Sequence, residues 1–243
     1  YSVTPHTFIQ PVIMLNESAT VKVPVSNWGT ATVNNVDYII TSDGIDSDEQ
    51  HVDLSSGLLF GLSNLIEVSI ISDAETGIKN KKLTITKVNG NANLAESNSV
   101  NFPVATVDRY VEHRVAVEEN TGTGCGWCPR GLIGMDNLRK KFGDKFVGIG
   151  IHQYNSSDAM YINPNRYARL GFGGAPQCTI ERVLYVDPYY GSGYDIADDF
   201  QERLDIPVLA GVEVEGTWNE DKTEVNATAT VQSLVCLPIN QVF

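Results

Sequence analysis

Cys125 and Cys128 are separated by two residues in Thr123-Gly124-Cys125-Gly126-Trp127-Cys128-Pro129-Arg130, directly after the run Arg114-Val115-Ala116-Val117-Glu118-Glu119. A dithiol where a strand gives way to a helix can exchange disulfides: one thiolate attacks, and the other resolves the mixed intermediate. At the helix mouth, unpaired backbone N–H groups and the helix dipole favour a thiolate. Helix-start cysteines of this kind have pKa values lowered to roughly 3.5–7.5. Cys125 is therefore expected to be the attacking sulfur, with Cys128, one turn inside, resolving. Pro129 suits the first turn, where its missing N–H costs nothing. Glu119 shares a strand face with Val115 and Val117. If that face is buried, its carboxyl lies beneath the dithiol and can carry the proton of Cys128; otherwise it is an exposed strand-end residue.

The elements that must position these residues are legible as well. Leu132, Met135, Leu138 and Phe142 recur at helical spacing, Lys140 and Lys141 suit a last turn, and Gly143 a stop. Phe146 to Ile151 is a nearly continuous apolar run, which suits a strand covered on both faces. A helical segment is expected around Asn165 to Leu170. It is followed by the turn Gly171-Phe172-Gly173-Gly174-Ala175-Pro176 and by strands at Gln177 to Ile180 and Val183 to Val186. Ile196, Phe200 and Leu204 share one face of a second helix over 195–204, and Asp195, Asp198 and Asp199 suit its start. Strands mixed with helices make residues 108–209 an α/β domain. Residues 1–107 instead show short alternating strands separated by polar turns, which is the pattern of a β-sandwich, with Trp28 and Tyr38 as core residues. Residues 210–243 return to alternation. Two strands do not make an independent domain, so this tail reads as the start of a third β-rich domain or as strands added to a neighbour.

The 243-residue chain suits two domains, and its 42% hydrophobic content supplies a sizeable core. A formal charge of -13 disfavours nucleic acid and anionic membrane surfaces as partners. No apolar run reaches the roughly 18 residues of a membrane span. A chain opening on Tyr1 reads as a processed or trimmed product, so a missing signal segment says nothing about export.

The run Val115-Ala116-Val117-Glu118-Glu119-Asn120-Thr121-Gly122 to Gly131, with its Cys125-Gly126-Trp127-Cys128-Pro129 centre, resembles a thioredoxin-fold active site. The similarity is to the thioredoxin-like outer-membrane proteins and lipoproteins of Bacteroidetes, the twenty-eight-kilodalton outer-membrane protein kind. It covers residues 108 to about 209. The resemblance implies an α/β thioredoxin-like domain preceded by an all-β immunoglobulin-like sandwich. It implies a nucleophilic Cys125, a resolving Cys128 and Glu119 as the buried acid. It also implies that Pro176, after Ala175, is a cis-proline whose backbone pairs with a substrate strand. Gly124 stands where thioredoxins usually carry Trp, and Trp127 offers an apolar contact instead.

The expectation is thus an exported, cell-envelope thiol-disulfide oxidoreductase acting on protein or peptide disulfides. It needs no cofactor, and membrane contact comes only through a lipid anchor outside this chain. The alternatives are a non-catalytic surface binding or scaffold module, and a zinc site completed by Cys178, Cys236 and His152. Cys178 by default is a free buried cysteine, although a bridge to Cys236 is open in an oxidising compartment.

Overall fold

The computed structural model describes residues 1–163, 170–188 and 195–236. Its contacts divide the chain into two compact units, one comprising Tyr1–Val111 with Val208–Phe243 and the other Glu112–Pro207.

In the first unit, strands β1 (Val3–Pro5), β3 (Ser18–Asn27) and β7 (Ser63–Ile71) form a three-stranded sheet. A larger sheet runs β2 (Val12–Met14), β10 (Ser99–Val107), β8 (Gly77–Val88), β4 (Val33–Ser42) and β5 (Ile45–Asp46). Strand β6 (Gln50–Leu58) pairs with β4, and the short β9 (Asn91–Ala92) with β8. Period-two alternation decides what faces inward. Val23 and Val25 of β3, Val36 and Tyr38 of β4, Ile66, Val68 and Ile70 of β7, and Leu83 and Ile85 of β8 make one continuous core. The Tyr38 hydroxyl accepts a hydrogen bond from the backbone N–H of Ser69 at 2.9 Å, so its polar end is satisfied. Trp28 departs from expectation: it follows β3 and is exposed. Among the described residues, β15 (Ala210–Trp218) and β16 (Val225–Ser233) pair only with each other. Leu234 and Val235, just beyond β16, pack with Val12, Ala105 and Val107.

The second unit holds a four-stranded mixed sheet in the order β12 (Phe146–His152), β11 (Val115–Thr121), β13 (Gln177–Ile180) and β14 (Leu184–Val186). β11 runs parallel to β12 and antiparallel to β13. Helix α1 (Cys128–Phe142) carries Pro at its first turn and Arg139, Lys140 and Lys141 in its last. Helix α2 (Ile196–Leu204) is capped by Asp195, whose side chain accepts from the Ala197 N–H at 2.9 Å. Phe200 of α2 stacks on Phe142 at 4.3 Å and on Phe146 at 6.0 Å, which ties both helices to the sheet.

These elements correct the expected fold class. The described residues contain sixteen strands and only two α-helices, so the chain is predominantly β. The α/β thioredoxin-like layering is not what they show, and the physical reason lies in β12. Its apolar run was expected to be covered on both faces, but β12 is an edge strand on which Val147 and Ile149 are exposed. Most of the helical segment expected around Asn165 to Leu170 lies outside the described residues.

Candidate functional site

β11 is the central strand of its sheet, and all its residues except Ala116 are buried. Its alternation sends Val115, Val117 and Glu119 to the face on which α1 packs, and the first two join the core with Leu138 and Phe200. Glu119 continues that row and is 1% exposed. Cross-strand, it lies beside Gly150 on β12 and Cys178 on β13. Gly131 of α1 passes directly over its carboxyl: a Cβ there would come 1.9 Å from Glu119 Oε1 and 3.0 Å from Pro176 Cβ. Burial raises the Glu119 pKa to about 7, against a smaller opposing effect of His152. Oε1 is buried and has no hydrogen-bond partner among the described residues.

The loop from β11 to α1 carries the two cysteines. They are joined in a disulfide with S–S 2.08 Å and Cα–Cα 5.4 Å. Cys125 is 8% exposed and Cys128 3%. Cys125 Sγ lies 3.8 Å from the carbonyl oxygen of Ala175. The Ala175–Pro176 peptide bond is cis. Asn120 Nδ2 donates to the Gly174 carbonyl at 2.7 Å, tying the turn before Pro176 to β11. The structure therefore gathers Cys125, Cys128, Glu119, Ala175 and Pro176 in one place. Trp127 stands apart from this enclosure. It is 72% exposed, with the Arg130 guanidinium 5.4 Å from its ring centroid. Arg130 also pairs with Asp187 at 2.5 Å.

One anchor of this loop escaped sequence reasoning. The buried Asp158 accepts from the Thr123 N–H at 2.7 Å and the Met160 N–H at 2.9 Å, and meets His152 Nδ1 at 2.7 Å. These hydrogen bonds hold its carboxyl well below the usual carboxylate range. Asp158 lies in an irregular loop with no periodicity around it, so only its residue type hinted at such a role. His152, which the zinc alternative offers as a ligand, ends β12 and supplies the third contact.

The zinc alternative needs free thiolates, and Cys125 and Cys128 are spent on each other. Cys178 is free and buried, its thiol pushed up by burial, and Cys236 is free and exposed. Among the described residues no group of three or more His, Cys, Asp or Glu side chains is arranged to hold a metal ion. Nor is any described helix long and apolar enough to cross a membrane.

No family model and no curated protein matches the chain. Among solved structures, it is similar to a CARDB domain from Pyrococcus furiosus determined in complex with di-metal ions. The identity is 18% over 43% of this chain and 90% of that one, with a TM-score of 0.31. It is also similar to a domain of a cell surface protein, so titled, from Methanosarcina acetivorans, at 19% identity over 46% of this chain and 97% of that one, with a TM-score of 0.34. The resemblance to thioredoxin-like outer-membrane proteins and lipoproteins is corrected: no family model and no curated protein supports it, and the described residues are predominantly β. With it go the expected thiol-disulfide oxidoreductase activity and the enzymatic assignment that rested on it.

Proposed function

We propose that this chain is a non-catalytic module of an exported protein, in which the Cys125–Cys128 disulfide is a structural clamp that presents Trp127 to an extended polypeptide partner. The observation that carries this reading is the contrast within one loop. Both cysteines are closed on each other and largely enclosed, while Trp127 between them projects into solvent. Large aromatic side chains held on a rigid loop make contact area at low entropic cost, which is how binding anchors work. Ala175 and Pro176, against the disulfide, supply the adjoining backbone of the surface. A formed disulfide supports residence in an oxidising compartment.

Two measurements test the reading. The purified chain should leave the reduction of insulin disulfides by dithiothreitol at the rate of the reductant alone. Accelerated reduction that disappears in Cys125→Ser would overturn the non-catalytic assignment. Extended peptides selected for binding to the native chain should lose affinity at least tenfold on Trp127→Ala. Equal affinity for the variant would remove Trp127 from the binding surface.

A further inference from the structure

The inner face of the N-terminal sandwich ends in a polar rung. Along β4 the inward positions are Val36, Tyr38, Ile40 and Ser42, and along β8 they are Lys81, Leu83 and Ile85. Cross-strand register sets Tyr38 beside Ile85, Ile40 beside Leu83 and Ser42 beside Lys81. The alternation calls for two more apolar side chains at the last rung, but a hydroxyl and an ammonium occupy it. Lys81 is 6% exposed there. Its Nζ donates to the Ile71 carbonyl at 2.9 Å and pairs with Asp73 Oδ1 at 3.2 Å. A buried lysine costs several kcal/mol unless paired, and this one is paired without filling the space in front of it. That space is a cavity of about 400 Å³ whose lining includes Ile40, Ile45, Ile71, Ser42, Ser69 and Lys81.

We propose that this cavity is a binding site for a compact aliphatic molecule carrying one hydrogen-bond-accepting head, held at Lys81. Ile40 supplies a half-buried apolar wall for the body, and Ile45 and Ile71 form an apolar rim open to solvent. An ammonium has three N–H donors, and Lys81 spends one on Ile71 and one on Asp73, leaving a third. The hydroxyl of Ser42, beside Lys81 in the cross-strand register, can donate to the same head. A cationic head is disfavoured, because it would meet the Lys81 ammonium at the floor of the cavity. The chemistry fits a carbonyl or a carboxylate; a carbonyl avoids repulsion from Asp46, which also lines the cavity. If Lys81 only plugged the end of the sandwich, an apolar partner at position 42 would cover it at lower cost, whereas Ser42 leaves the ammonium facing the cavity.

The test is a titration of the isotope-labelled full chain with hexanoate, hexanamide and hexylammonium, followed by amide chemical shifts. The expected result is saturable shifts at β4, β5 and the end of β7 with hexanoate or hexanamide, and none with hexylammonium. The tighter of the two acceptor probes identifies the head as charged or neutral. Lys81→Met should weaken binding at least tenfold. Ser42→Leu, which sets an isobutyl group in front of the Lys81 ammonium while leaving the ion pair in place, should abolish it. The proposal fails if neither acceptor probe shifts these residues, if hexylammonium binds as tightly, or if a folded Ser42→Leu binds like the native chain.

Discussion

Glu119 sits beneath the first turn of α1 with Oε1 unpartnered, and its burial has a consequence for stability. A carboxyl with its folded pKa raised to about 7 binds its proton more tightly in the folded chain than in the unfolded one. Between the ordinary carboxylate pKa and about 7, the folded state therefore holds more protons. Stability falls as pH rises through that window and levels off above it. The full effect is roughly 3 kcal/mol for a shift of this size. Glu119→Gln keeps the shape of the side chain and removes the charge. The variant should match the native chain at pH 4 and be the more stable by about that amount at pH 8, as measured by urea unfolding of the second unit. An unchanged pH profile would mean that the carboxyl is better solvated than its burial indicates.

At the scale of elements, two glycines of α1 show packing overruling propensity. Glycine inside a helix costs about 1 kcal/mol relative to alanine, so Gly134→Ala should stabilise if α1 stood alone. In the fold a Cβ at Gly134 would lie 2.2 Å from the carbonyl oxygen of Pro188, a backbone atom with little room to move. Gly134→Ala is therefore expected to destabilise by about 1–3 kcal/mol, read as a lower urea midpoint at unchanged slope. A stabilised variant would show that the 188 segment yields freely. Helical spacing gives these glycines no role, because local periodicity carries no information about what crosses above. The same limit explains β12. Its apolar run predicts a covered strand, but neighbours set exposure, and among the described residues β12 pairs with β11 alone. Trp28 fails for a related reason: it follows β3, outside the alternation that made Tyr38 readable as core. Where the pattern was local and strong, it sufficed. The span of α1, the Asp195 cap of α2 and the inward row Val115, Val117 and Glu119 are all legible from spacing. Asp158 is not, since Thr123, the partner through which it holds the dithiol loop, lies 35 residues away in the chain.

Across the whole molecule, the two units have separate hydrophobic cores, one built on β3, β4, β7 and β8 and the other on β11, α1 and α2. The disulfide belongs only to the second. It closes a loop of a few residues, so in the chain-entropy view it restricts the unfolded state by roughly 2 kcal/mol, the small end of what such bonds contribute. Each unit has its own core, so stability is expected to divide between them rather than follow one global transition. Reduction of Cys125–Cys128 should therefore lower protection from hydrogen exchange across residues 112–207 by that amount and leave residues 1–111 unchanged. The double variant Cys125→Ser with Cys128→Ser should reproduce the reduced pattern without reductant, which separates the covalent link from side effects of the reagent. If protection falls equally in both units, the chain unfolds as one body, and the disulfide clamps more than the loop that carries Trp127.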